Sequence, residues 1–190
     1  MQFDNSFDVP LLPAEAWALL MDIPRIAPCM PGAELTEIAD AQNYKGKIAV
    51  RLGPVALAFA GRVYFENVDA INRTASVKAQ GSDARGRGAA NAAATFRIEP
   101  AGGGSKVLIH TELMLSGAVA QYGRGAGMIE AVASQIIGQF ANNLRAQLAS
   151  GPSAVPVAPA SPQPISGLSL LLRVIWSKLA ALFGGGGSRL

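Results

Sequence analysis

The chain has 190 residues, half of them apolar and 15% charged, against roughly 25% charged in a typical soluble domain. It can therefore build one ordinary core and still have apolar surface to place in a cavity or against a membrane. The net charge of +3 is carried by Arg173, Lys178 and Arg189, without which 13 of the 16 cations face 13 acidic residues; a neutral globular part excludes nucleic acid as the expected partner, and a basic, apolar tail suits a membrane surface.

The single cysteine, Cys29, allows no intramolecular disulfide and fits a reducing compartment. The opening MQFDNSFDVP has neither a basic n-region nor an apolar h-region, so no export is expected and the cytoplasm is the expected location. Residues 2–9 alternate, with Phe3, Phe7 and Val9 on one side, and read as a half-buried strand. Pro10 and Pro13 end it. A short helix is expected over 14–22, with Glu15 in its first turn and Trp17, Leu20 and Met21 inward. The prolines at 24, 28 and 31 leave room only for a helical turn and a loop.

From 33 to about 118 strand follows strand: 33–38, 44–52, 55–68, 74–81, 88–99 and 106–116. The turns between them are too short for crossover connections, so neighbours run antiparallel. Gly61 and Gly81 predict bulges or bends that curve the sheet. Val55, Leu57, Phe59, Val63 and Phe65 share one face, as do Phe96 and Ile98, and Val107, Ile109, Leu113 and Leu115. One face is thus apolar and the other polar. The segment 121–149 supplies the cover: Met128, Val132, Ile136, Phe140, Leu144 and Leu148 recur at four-residue steps, and a helix there would run roughly 40 Å. The expected fold is α+β, a curved antiparallel sheet of about seven strands gripping one long C-terminal helix, with a cavity between the two.

The composition breaks after residue 150. The linker 151–166 holds five prolines and no charge and should be a semi-extended spacer. The segment 167–190 begins with 17 strongly apolar residues, 167–183, which as a helix would reach roughly 25 Å, short of the ~30 Å hydrocarbon core. Two cations in mid-helix disfavour spanning. The expectation is an in-plane amphipathic helix touching the membrane through Leu171, Ile175, Trp176, Leu179 and Phe183, with Arg173 and Lys178 toward anionic headgroups. Packing back on the domain, or oligomerisation, is the plainer alternative for the same segment.

Chemistry-bearing residues are few. His110 lacks a second histidine or paired cysteines and reads as a surface residue. Cys29 reads as a buried, inert thiol. The run Gly123-Arg124-Gly125-Ala126-Gly127 opens a helix, but without a βαβ context it is a weak nucleotide signal. It could instead pack closely on the sheet edge, or form a gate at the cavity mouth with Tyr122 and Arg124 at the rim. The alanines of 88–94 could pack against a neighbour or leave space for a ligand. Cavity candidates are Phe59, Phe96, Leu113, Tyr122, Met128, Val132, Ile136 and Phe140, with Gly123, Arg124 and Gly125 as the gate; Phe59, Phe96, Met114, Met128 and Phe140 are individually more often core than pocket.

The stretch 116–125 (SGAVAQYGRG) followed by 139–144 (QFANNL), with Trp17, Cys29-Met-Pro-Gly32, Lys45-Gly-Lys47, Gly53-Pro54, Gly61-Arg62 and the glycines 81–88, resembles the CoxG family, the G component of carbon monoxide dehydrogenase, within the START-like helix-grip superfamily. The resemblance covers residues 1–150. It implies a non-enzymatic accessory of a molybdenum hydroxylase-type dehydrogenase, peripheral on the inner face of the cytoplasmic membrane. Cavity and tail together suggest a lipophilic ligand, a respiratory quinone (ubiquinone or menaquinone), with no covalent cofactor and no metal. A pure recruitment scaffold, or a small-molecule cyclase or hydrolase, are the alternatives.

Overall fold

The computed structural model describes residues 1–124 and 126–151, the side chains at 123, 124 and 126 excepted. The linker over 152–166 and the segment 167–190, including every expected membrane-contact residue, lie outside the described residues, as does Gly125. Strand β1 (Gln2–Val9) leads into α1 (Pro13–Met21), the short α2 (Ile23–Ile26) and a 3-10 turn (Ala27–Cys29). Then come β2 (Ala33–Ile38), β3 (Asn43–Leu52), β4 (Val55–Asp69), β5 (Thr74–Asp83), β6 (Gly88–Ala101) and β7 (Gly104–Gly117). A 3-10 segment (Ala118–Arg124) precedes α3 (Ala126–Ala149). The sheet order is β1-β7-β6-β5-β4-β3-β2, antiparallel at every pairing, as hairpin-length connections require.

The alternation in sequence becomes two faces. Phe7 and Val9 of β1, Ile98 of β6 and Val107 of β7 are buried, and their neighbours along each strand are not. Helix α3 supplies Phe140, Ala141 and Leu144 to the same cluster, and α1 supplies Ala16, Leu19 and Leu20. Ala16 and Leu19 are more deeply buried than the Trp17 and Met21 singled out from the sequence, which stay half-exposed. The ring of Phe140 meets Phe7 edge to face at 5.6 Å. The far end of α3 is tied down by polar contacts: Asn143 Nδ2 donates to the Cys29 carbonyl at 2.9 Å, and Cys29 Sγ donates to Gln147 Oε1 at 2.7 Å.

Two expectations are corrected. The long helix begins at Ala126, not at 121, because 118–124 winds as a 3-10 segment; the glycines at 123, 125 and 127 weaken α-helix at this point. Gly61 and Gly81 form no bulge: they face each other in unbroken register, and the register shifts lie between Phe65 and Asn67 and between Leu35 and Glu37. They serve instead as a crease. Gly46, Gly61 and Gly81 align across three strands, and a Cβ on Gly61 would lie 1.9 Å from the Gln80 carbonyl oxygen, so only glycine lets the chains approach this closely. Met114, which alternation already sets on the His110 face, is 68% exposed there.

Candidate functional site

The pairings set side chains into rows across the covered face. One row reads Gly46, Gly61, Gly81, Ala90, Leu115; the next Tyr44, Val63, Ala79, Ala92, Leu113; the next Phe65, Val77, Ala94, Thr111, Phe3. Small residues thus occupy the centre of the face in all three rows, and in the second and third large ones stand at the margins. The core divides accordingly. One cluster joins α1 and the C-terminal half of α3 to Phe7, Val9 and Val107. A second joins Tyr44, Phe65 and Ala75 to Trp17 and Phe96, whose rings lie 5.9 Å apart. A third, at the opposite end of the sheet, gathers Leu52, Leu57, Phe59 and Val119 with Tyr122 and Val132.

Six inward residues belong to none of these clusters. Val63, Ala79, Ala92, Ala94 and Leu113 face inward on central strands, yet all are only half-buried and none belongs to a core cluster. Ile136 on α3 has the same status. Inward apolar side chains on the middle strands of a covered sheet are ordinarily sealed at native packing density. Here they keep solvent access. These six are apolar and carry no ionisable group, a surface that suits an apolar molecule.

The candidates among the described residues can now be placed. Leu113 and Ile136 are among these six half-buried residues. Phe59, at 9% exposure, and the half-buried Tyr122 and Val132 belong to the third cluster. Phe96 and Phe140 belong to the packed end. Met128 joins no core cluster and is 49% exposed, for a geometric reason. At about 100° per residue, Ile129 lies about 20° from Phe140 around the helix and Met128 about 120°. Ile129 is accordingly buried at 6%, and a row of strict four-residue steps drifts off the sheet. Gly123 and Arg124 fall in the 3-10 segment after β7.

Sequence reasoning missed the floor residues Val63, Ala79, Ala92 and Ala94; the alanine run was the available signal, and only register could show which alanines face inward. It also missed a buried ion pair. The Asp83 side chain is fully buried and is gripped by Arg87 through Nε to Oδ2 and Nη2 to Oδ1, both at 2.8 Å. The backbone N–H groups of Arg85, Arg87 and Ala58 donate to the same carboxylate, and Arg87 Nη2 also donates to the Ala56 carbonyl. The Arg87 bonds, and then the backbone donors, hold the Asp83 carboxyl well below the usual carboxylate range. The Arg87 carbonyl accepts from Val119 N at 3.1 Å. One residue thus fastens the β5–β6 hairpin to β4 and to the 3-10 segment after β7.

His110 lies on the exposed face with Nδ1 2.7 Å from Asp4 Oδ1, and Cys29 is buried, its thiol pushed up by that burial. Among the described residues no three His, Cys, Asp or Glu side chains gather as a metal site, and no helix is long and apolar enough to cross a membrane.

Residues 6–149 match the family described as CoxG, the G component of carbon monoxide dehydrogenase. Among curated proteins none matches. Similar solved structures include a conserved protein from Geobacillus kaustophilus, at TM-score 0.68 and 18% identity over 79% of this chain and 96% of that one. A protein from Thermus thermophilus gives TM-score 0.58 and 11% identity, over 80% of this chain and 100% of that one. An aromatase/cyclase from a Streptomyces species gives TM-score 0.55 and 12% identity, over 82% and 98%. At these identities the likeness is one of fold.

Proposed function

Because the chain belongs to the CoxG family, which implies an accessory role for a carbon monoxide dehydrogenase, we propose that it carries a lipophilic ligand, a respiratory quinone, between the membrane and that enzyme. We read six inward apolar residues at the centre of the covered face, left neither buried nor clustered, as the lining of a hollow, and this observation carries the proposal. A quinone headgroup with its isoprenoid chain asks for such a lining, apolar and without a competing charge. The sequence of the tail supports the other half of the proposal, since 167–183 is apolar with two cations and no acid, as in-plane membrane helices are. The partner is a molybdenum hydroxylase-type dehydrogenase, and the protein works from the inner membrane surface.

Carriage is favoured over catalysis by the state of Asp83. It is the buried carboxylate among the described residues, and a helix-grip enzyme would need such a group free. Here Arg87 and three backbone donors occupy it, and a carboxyl held that low is no general acid near neutral pH. The test is a titration of the full chain with short-chain ubiquinone and menaquinone analogues, read by quenching of tryptophan fluorescence. Saturable binding, weakened about tenfold or more (at least ~1.4 kcal/mol) when Ala92→Phe fills the hollow, is expected. A folded Ala92→Phe that binds like the wild type, or a wild type that binds neither analogue, would sink the proposal and leave a recruitment scaffold as the better account.

A further inference from the structure

The face of the sheet turned away from α3 carries a second feature, a groove of about 560 Å³ that runs from Thr36 on β2 to Asn91 on β6. It crosses five strands, hence four inter-strand spacings or about 19 Å. Its floor is Ala60, Ala89 and the backbone of the glycine crease, and its walls include Lys45, Lys47 and Arg62, with no acidic residue among the lining. Alanine is a poor strand former with little to offer a solvated surface. Yet Ala58 and Ala60 on β4 stand exposed on this face. Small residues there leave the sheet open to close approach.

The cations are available to a partner. Lys45 pairs with Glu37 at 3.0 Å and Lys47 with Glu34 at 3.9 Å, but all four side chains are more than half exposed, and such pairs contribute about 0–1 kcal/mol. Arg62 makes no ion pair among the described residues. Its Nε and Nη2 both donate to the neutral Gln80 Oε1, at 3.0 and 2.8 Å, and its guanidinium lies 5.6 Å from the Tyr64 ring centroid. The guanidinium is therefore held in place with its charge uncompensated and N–H donors to spare, the condition under which arginine recognises a carboxylate.

We infer that this groove docks an extended, acidic segment on the surface of the dehydrogenase, an inference that rests on the accessory role. A groove about 19 Å long takes about six extended residues. The Gln80, Ser82 and Asn91 side chains along it can pair with peptide groups while the three cations take carboxylates. A flat bilayer surface offers no ridge to enter a groove, which favours a protein segment as the occupant. The assignment also leaves the hollow on the opposite face of the sheet, so the chain can hold the enzyme and its ligand at once.

The test uses the full chain and the purified dehydrogenase, with affinity measured by biolayer interferometry at two salt concentrations. Lys47→Glu with Arg62→Glu should weaken binding about tenfold or more and flatten its salt dependence. Ala60→Trp, which fills the groove without altering charge, should weaken it as well. Lys106→Glu, exposed on β7 outside the groove, should not. Unchanged affinity in the double variant, or a loss equally large in Lys106→Glu, overturns the inference. So does a double variant that loses binding only to vesicles containing anionic phosphatidylglycerol, which would make the groove a lipid contact. A wild-type chain with no affinity for the dehydrogenase overturns it too, but by removing the accessory reading beneath it.

Discussion

Gly61→Ala is the sharpest test of how this sheet is built. The added Cβ would lie 1.9 Å from the Gln80 oxygen and 2.7 Å from the Gly81 Cα, and both are backbone atoms held in the β4–β5 ladder. No rotamer can relieve the contact, so the two strands must separate or the crease must flatten. Overpacking that forces a backbone shift costs about 3 kcal/mol, the upper part of the usual range. For a domain of this size that lowers the melting temperature by roughly 6–12 °C. Gly138→Ala is the matched control: it is an exposed position in α3, where a Cβ meets nothing within 4 Å, and it should raise stability by roughly 0.5–1 kcal/mol. Urea unfolding of the full chain, followed by circular dichroism, measures both. A Gly61→Ala protein within about 0.5 kcal/mol of the wild type would refute the crease.

Phe140→Ala removes a ring that is 5% exposed and set edge to face on Phe7, and should cost about 3–5 kcal/mol in the same assay. Asp83→Asn should cost stability near neutral pH and progressively less in acid. The Asp83 carboxyl is held low in the folded state, so its contribution is complete above the unfolded value of about 3.9 and shrinks as pH falls from there toward the much lower folded value; a wild-type-to-variant difference that is as large at about pH 2 as at neutral pH would contradict this. Cys29 should resist alkylation in the native protein and react on addition of urea, because its thiol is buried and pushed up by that burial. Rapid native labelling at neutral pH would place Cys29 outside the packed end.

The fold was legible because its signals are local and redundant. Alternation in β1, β4 and β7 settled which face is covered, short turns settled antiparallel pairing, and the apolar face of 121–149 supplied the cover. The site was less legible, since a hollow is made of what is missing. Ala79 and Ala92 matter through being small and opposite each other, and pairing of residues 13 apart depends on hairpin register, which the sequence leaves open within a residue or two. Met128 fell off the sheet because four-residue steps overrun the helix period. The Asp83–Arg87 pair sits in a turn whose i, i+4 spacing looks ordinary until the hairpin folds the carboxylate beneath the strand.

That the hollow carries a lipophilic molecule is tested most directly by solvent extraction of the full chain purified from a membrane-containing host, with mass spectrometry of the extract. We predict a respiratory quinone at close to one per chain, lost in Ala92→Phe while that protein remains folded. An extract with no lipophilic molecule from a folded wild-type chain, repeated after incubation with quinone-loaded vesicles, would contradict it.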